Sequence, residues 1–166
     1  DKKICLICPS SNGGYISVDI NQIIDAISVA IAEEFGDDYN IYDERINQEL
    51  EEPCFFIHLL NGDHELFLNQ RYYRQNHFDV QYFPGSSAIQ RECNDVGERL
   101  SGCLEYITLY DADAEQDEVK PIRGGSMHYE IKDDVLHFFV DYNGFLKKQI
   151  TETEMKTLSQ QVDVKE

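Results

Sequence analysis

The sequence predicts an α+β fold in which two amphipathic helices pack on one face of a mixed or antiparallel β-sheet. Three observations lead to this prediction: two stretches repeat apolar residues at helical spacing, others alternate apolar and polar residues, and turn residues separate the alternating stretches. We divide the 166 residues into an N-terminal extension at 1–16, a single α+β domain at 17–149, and a C-terminal tail at 150–166 with the pattern of a short helix.

The first helix is predicted from Asp19 to Phe35. Asp19 and Gln22 have the spacing of a capping box, in which each side chain bonds the backbone amide of the other residue. Gly36 follows at the position where helices often end on a left-handed residue. The apolar residues of this helix fall on one stripe: Ile20, Ile23, Ile24, Ile27, Ile31 and Phe35.

Strands are expected between the two helices. A short one lies at 40–42, and an apolar run at 54–60 is ended by the turn signal Asn61-Gly62-Asp63. A long strand at 71–83 ends at Pro84-Gly85, and its second half alternates apolar and polar residues. One face of that strand is therefore expected to be buried and the other wet.

The second helix is predicted from Ser87 to about residue 108, with Ser87 and Gln90 as its capping box. Gly97 lies beside its apolar stripe, where a missing side chain permits close packing. An acidic loop at 110–118 follows, and then a hairpin that turns at Asp133-Asp134. The two helices are expected to bury six apolar residues against the sheet: Ile24, Ile27, Ile31, Val96, Leu100 and Leu104.

The chain is strongly acidic. It has 32 Asp and Glu residues and 14 Lys and Arg residues, which gives a formal net charge of −18. Phosphate binding depends on Lys and Arg, so sequence-specific nucleic acid is not an expected partner. An anionic membrane surface is disfavoured for the same reason, and no run of 18 apolar residues indicates a spanning helix.

No catalytic motif is found among the residue patterns. The chain lacks a nucleophile elbow, a P-loop, a dinucleotide-binding glycine pattern and a zincin motif. Its five cysteines are an odd number, which indicates a reducing compartment. Cys5 and Cys8 have the spacing of half a zinc site, but no second pair follows. His58, within an apolar run, is interpreted as a core histidine. We therefore predict no enzyme activity, no metal and no cofactor.

A cationic and aromatic cluster opens the long strand. Arg71 and Arg74 flank Tyr72 and Tyr73, and Arg and Tyr are residue types enriched at interface hot spots. The four residues are candidates for a subunit interface. An equally open alternative is that the two arginines only balance nearby acidic residues on a solvated strand.

Several segments resemble the signature stretches of the phage tail terminator family, in matching order from about Ile20 to Leu146. They are Glu52 to Ile57, Arg71 to Phe78, Gln81 to Pro84, Arg91 to Cys93, Glu98 to Leu100, Cys103 to Ile107, Arg123-Gly124, Met127 to Glu130, and Leu136 to Val140.

The resemblance implies a structural protein of the virion tail or neck, assembled in the host cytoplasm. Members of the family form a ring, commonly a hexamer, that caps the tail tube and ends its polymerisation. The implied partners are the chain itself, the tail tube protein, the head–tail connector and, in contractile tails, the sheath. Arg71, Tyr72, Tyr73 and Arg74 would then contact a neighbouring subunit or the tube.

Three other classes of protein remain open. Another oligomeric neck or head-completion protein would share the acidity and the absence of a catalytic motif. A small enzyme could use Cys5, Cys8 and a histidine. An acidic mimic of DNA is compatible with the charge but fits poorly with so many aromatic residues in apolar patterns.

Overall fold

A computed structural model describes residues 4–7, 19–43, 51–69, 71–110 and 119–148 of the chain. Within these ranges nine strands and two helices form a mixed α+β fold, as predicted. The elements in chain order are β1 (Ile4–Ile7), α1 (Ile20–Phe35), β2 (Asn40–Tyr42), β3 (Cys54–Leu68), β4 (Arg71–Phe83), α2 (Ile89–Cys103), β5 (Tyr106–Tyr110), β6 (Val119–Arg123), β7 (Gly125–Lys132), β8 (Val135–Asp141) and β9 (Gly144–Lys148).

Strand β4 is the centre of the main sheet. Antiparallel β3 pairs with one edge along the whole length of β4. The other edge pairs with β8 over 77–82 and with β9 over 71–74. The sheet thus has two parts that share β3 and β4. We call the part with β2, β7 and β8 the body, and the part with β9 and β1, together with residues 60–77 of the β3–β4 hairpin, the arm.

Helix α1 has the predicted limits and the predicted caps. The Asp19 amide donates to Gln22 Oε1 at 3.0 Å, and the Gln22 amide donates to Asp19 Oδ1 at 2.9 Å. Gly36 ends the helix with a φ of 82°, in the left-handed region. The predicted stripe is buried except at two positions, since Ile20 and Ile24 are only half-buried.

Helix α2 differs from the prediction at its first turn. It begins at Ile89, and the residue before it, Ala88, makes no side-chain cap, so the predicted Ser87–Gln90 capping box is wrong. Glu92 instead reaches back and accepts hydrogen bonds from the amides of Gly85 and Ser86, both at 3.2 Å, and from the Tyr82 hydroxyl at 2.6 Å. The Ser86 hydroxyl also donates to Glu92. Partial burial raises the pKa of Glu92, yet the bonds from the Ser86 and Tyr82 hydroxyls and from the two amides hold it below the ordinary value.

The end of α2 also differs from the prediction. The helix stops at Cys103, and residues 106–110 form β5, which pairs with β6 in a separate two-stranded sheet. The predicted helix included Ile107, which lies three residues after Leu104. Ile107 is buried, but from a strand, together with Leu109 on the same face. Residues 104 and 107 fit the spacing of a helix, and residues 107 and 109 fit the alternation of a strand. The local sequence pattern is therefore compatible with both structures at this point.

Strand β3 is longer than predicted. The run 54–60 was expected to end at Asn61-Gly62-Asp63, but the strand continues to Leu68. The register against β4 shifts between Leu59 and Asn61, so the turn-forming residues are absorbed as a bulge. Asn69 follows the strand with a φ of 54°, and β4 begins at Arg71.

The β7–β8 hairpin turns at Asp133 and Asp134 as predicted, and both residues have a positive φ, 51° and 64°. The acidic segment 111–118, the C-terminal helix pattern in 150–166, and Cys8 lie outside the described residues. The extension at 1–16 contributes β1, which pairs with β9 at the edge of the arm.

Both helices and the inward face of the sheet share one hydrophobic core. Gly97 of α2 lies against Tyr129, because a Cβ added there would meet the tyrosine ring at 3.1 Å. Phe35 of α1 contacts Phe55 with ring centroids 4.9 Å apart. The largest fully buried side chains of this core are Tyr82, Tyr142, Phe55, Phe78, Phe138, Ile23, Ile27, Ile31, Ile57, Leu100 and Leu104.

Leu100→Ala is expected to lower the free energy of unfolding by about 2–5 kcal/mol, because Leu100 is 0% exposed and its truncation leaves a cavity. Leu60→Ala is the matched control, since Leu60 is 50% exposed, and it should cost less than about 1 kcal/mol. Urea denaturation measures both. Equal losses in the two variants would contradict the assigned core.

Candidate interaction surface

The sheet face that turns away from the helices is rich in histidine and carboxylate groups. Strand alternation places Phe78, Val80 and Tyr82 of β4 in the core and places the residues between them on the other face. We call this second face the polar face. Its members on the four adjacent strands are Phe56, His58, His77, Asp79, Gln81, His128, His137, Phe139 and Asp141.

The polar side chains of this face bond to one another across the strands. His137 Nδ1 lies 3.0 Å from Asp79 Oδ2, which also accepts from Gln81 Nε2 at 2.8 Å. His77 Nδ1 lies 2.5 Å from Asp141 Oδ1. Asp79 is almost fully buried, although its Oδ1 has no hydrogen-bond partner among the described residues. The two histidine–aspartate contacts join β4 to β8 and stabilise the pairing of these strands.

The interpretation of His58 as a core histidine is wrong. His58 is exposed on the polar face, because β3 alternates and Phe55, Ile57 and Leu59 point inward. On the same face His128 lies across from Phe139, and its ring stacks on the phenylalanine with centroids 4.8 Å apart.

In the part of the chain that the structure describes, no three His, Cys, Asp or Glu side chains form a group that could hold a metal ion. The side chains of Cys5 and Cys8 lie outside the part of the chain that the structure describes. No helix within the same ranges is long and apolar enough to cross a membrane.

The arm ends in an exposed apolar cluster. Leu66, Phe67 and Leu68 at the end of β3 are 63%, 63% and 59% exposed, and we call them the arm tip. Phe67 is held from one side by Phe145 of β9, with ring centroids 5.1 Å apart. Phe145 also packs on Tyr73 at 5.1 Å. The arm tip was missed from sequence because β3 was expected to end at Leu60.

The four candidate residues at the start of β4 divide between the two faces of the arm, as strand alternation requires. Arg71 is exposed and pairs with Leu68 of the arm tip, and Tyr73 packs on Phe145 on that same face. Tyr72 and Arg74 point to the other face. Only part of the cluster is therefore available to a partner, and its role as an interface stays a prediction.

Arg74 is enclosed within its own chain. It is 8% exposed, and its Nε has no hydrogen-bond partner among the described residues. Burial lowers the pKa of Arg74, while the negative charge of Asp19 at the start of α1 acts in the opposite direction. Arg74 is therefore a buried residue of its own chain, and Arg71 is the arginine that a partner can reach.

A second surface lies on the body, in a groove between α1, the end of α2 and β5. The groove has a volume of about 360 Å³, and we use "the groove" for this site. Burial, and then the nearby Glu34 charge, raise the pKa of the Cys103 thiol to about 11, so this thiol is neutral at pH 7. The lining residues are Ala26, Val29, Ala30, Glu33, Glu34, Gly102, Cys103, Tyr106 and Thr108.

Comparison with protein families identifies the chain. Residues 22–154 match the family model described as phage tail terminator protein. The match covers most of the chain and includes α1 from its third residue, all of α2 and strands β2 to β9. This protein therefore belongs to the phage tail terminator family and has a structural role in a phage tail. A comparison with curated proteins finds no match.

Substitution of the two arginines by glutamate separates their roles. Arg71→Glu should change the free energy of unfolding by less than about 0.5 kcal/mol, because Arg71 is exposed. Arg74→Glu should lower it by more than about 2 kcal/mol, because it places a second negative charge near Asp19 at a buried position. Thermal and urea unfolding at the same ionic strength measure both. If the two variants are equally stable, Arg74 is not enclosed as described.

Proposed function

We propose that this protein caps the end of the tail tube as a closed ring of identical subunits. The ring ends the addition of tube protein and presents its free surface to the neck or head connector or, in a contractile tail, also to the sheath. The observation that carries the proposal is the family match over 22–154. The expected number of subunits is six, which is the number that the resemblance to the family implies.

The charge of the chain limits how such a ring can form. Six copies of a chain with a net charge of −18 would formally carry 6 × −18 = −108. Net electrostatics therefore oppose closure, and subunit contacts have to be apolar patches or local pairs of opposite charge. Exposed cations near apolar residues are few among the described residues. Arg71 beside the arm tip is one of them.

The same charge suits a channel for DNA. Lys and Arg neutralise phosphates and hold nucleic acid, whereas carboxylates repel it. A ring lumen lined by carboxylates would let DNA slide without adhering. The proposal therefore assigns no sequence-specific nucleic-acid partner to this protein.

A polymerisation assay tests the capping function. Tube protein from the same particle is polymerised with and without this chain, and tube lengths are measured by negative-stain microscopy. The expected result is that the wild-type chain stops elongation when present at about six copies per tube end, while tubes without it grow without a defined length. Tubes that grow equally long with and without the chain would contradict the proposal.

Two charge-reversal variants extend this assay. Arg71→Glu should reduce capping at least about tenfold, because it removes the exposed cation beside the arm tip. Lys132→Glu changes the net charge by the same amount at an exposed position at the end of β7, and should cap as the wild type does. Equal capping by both variants would show that Arg71 only balances local charge.

A further inference from the structure

The arm tip and the groove are complementary surfaces on one chain. We propose that in the assembled ring the arm tip of each copy occupies the groove of the next copy. This inference rests on the proposed ring, and it assigns the contact that joins neighbouring subunits.

The arm tip has the properties of an inserted element. Leu66, Phe67 and Leu68 are three consecutive large apolar residues that are each more than half exposed. Phe67 and Leu68 lie on the face of Phe145 and Arg71, and Leu66, which pairs with Tyr72, lies on the other face, so the arm tip offers apolar side chains on both faces of the hairpin. Their backbone is fixed by the pairing of β3 with β4, and Phe145 supports Phe67 from one side. An apolar cluster held on a rigid hairpin loses little conformational entropy on binding, which favours its use as an anchor.

The groove has the properties of a receiving site. Three small residues, Ala26, Ala30 and Gly102, form part of its lining and leave room for side chains of a partner. A Cβ added at Gly102 would meet no atom within 4 Å, which shows that this part of the groove is open. Val29 and Tyr106 contribute apolar surface at the same site and are 41% and 56% exposed.

Charge supports the same pairing. Arg71 lies directly across from Leu68 in the β3–β4 register, so a cation accompanies the arm tip. Glu33 and Glu34 line the groove. Glu34 Oε1 is already paired with Arg99 Nε of its own chain at 2.8 Å, so Glu33 is the groove carboxylate that we assign to Arg71 of the next copy. A chain with a net charge of −18 meets another copy of itself favourably only where such local pairs form.

The occupant of the groove is therefore a second copy and not the same chain. Both surfaces are exposed in the single chain, so neither covers the other. An arm-to-arm contact would bring two Arg71 residues together, which like-charge repulsion disfavours. Contact between two different surfaces is heterologous, and repetition of a heterologous contact generates a ring when the rotation closes.

Two variants, each blocking one surface, provide the test. Phe67→Asp places a charge in the arm tip at an exposed position, and Gly102→Leu fills the groove from a helical position with open space around it. Each variant alone should lose ring formation at least about tenfold in native mass spectrometry. Circular dichroism and urea unfolding verify that both are folded, and Lys132→Glu is the control variant that should still form rings.

Mixing the two variants tests that the contact is heterologous. The Phe67→Asp chain keeps an intact groove, and the Gly102→Leu chain keeps an intact arm tip. An equimolar mixture should therefore form one-to-one dimers but no closed rings. A mixture that stays monomeric, or rings that persist in either variant alone, would overturn this inference.

Cross-linking gives an independent measurement that does not require either surface to be disrupted by charge. In a chain with Cys5→Ser, Cys8→Ser and Cys103→Ser, Phe67→Cys places a thiol in the arm tip, and Val29→Cys places a second thiol in the groove at a position that is 41% exposed. A short bis-maleimide at neutral pH should join copies into a ladder up to the full ring. The chain without Val29→Cys should give no ladder beyond dimers, and a ladder that survives would contradict the assigned contact.

The outcomes separate this inference from the proposed function. If Phe67→Asp and Gly102→Leu still form rings but fail to cap tubes, the arm tip binds tube protein, and the subunit contact proposed here is wrong. If both variants form rings and cap tubes normally, only this inference fails. If the wild-type chain forms no ring in solution or on purified tubes, the proposed function itself fails.

Discussion

The architecture depends on one strand that changes its partner halfway along. The 13-residue strand β4 pairs with β8 near its end and with β9 near its beginning, and Asn76 lies where the partners change. The fully buried side chain of Asn76 donates to the Tyr142 carbonyl at 2.8 Å, and its backbone amide donates to Asn143 Oδ1 at 3.1 Å. The Tyr142 amide donates in return to the Asn76 carbonyl at 3.0 Å.

This junction joins a packed body to an extended arm. On the body side, Tyr142 is buried and its hydroxyl donates to the Leu104 carbonyl at 2.7 Å, which connects the sheet to the end of α2. On the arm side, Arg74 is buried and feels the negative charge of Asp19, and Phe145 supports the apolar residues of the hairpin. The direction of the arm is therefore set by buried hydrogen bonds of the body. This arrangement holds the exposed apolar residues of the arm tip at a fixed distance from the core.

The elements that the sequence predicted well are those with a strong local signal. The capping box of Asp19 and Gln22, the apolar stripe of α1 and the Asp133-Asp134 turn depend on residues within a few positions of one another. The elements that differed depend on distant partners. Asn61-Gly62-Asp63 signals a turn locally, but pairing with β4 continues the strand through a bulge. Ile107 matches a helical spacing until β6 pairs with its strand.

The candidate interaction surface was predictable only in part, for the same reason. The arginines and tyrosines at 71–74 were visible as a cluster, but their division between two faces requires the strand to be known. Arg74 is buried in the folded chain, which the local pattern of its strand does not indicate. The arm tip follows from the true end of β3, and the groove from the packing of α1 against β5. Periodicity within single segments carries no information about either.

The proposed contact between the arm tip and the groove has one direct test. Hydrogen–deuterium exchange is compared between the unassembled chain and the chain in capped tubes. Amides of the arm tip, Leu66 to Leu68, and amides lining the groove should become protected on assembly, because each surface is covered by the next copy. The sheet amides between β4 and β8 should not change. Unchanged exchange in the arm tip and the groove, with new protection confined to the polar face, would contradict this assignment.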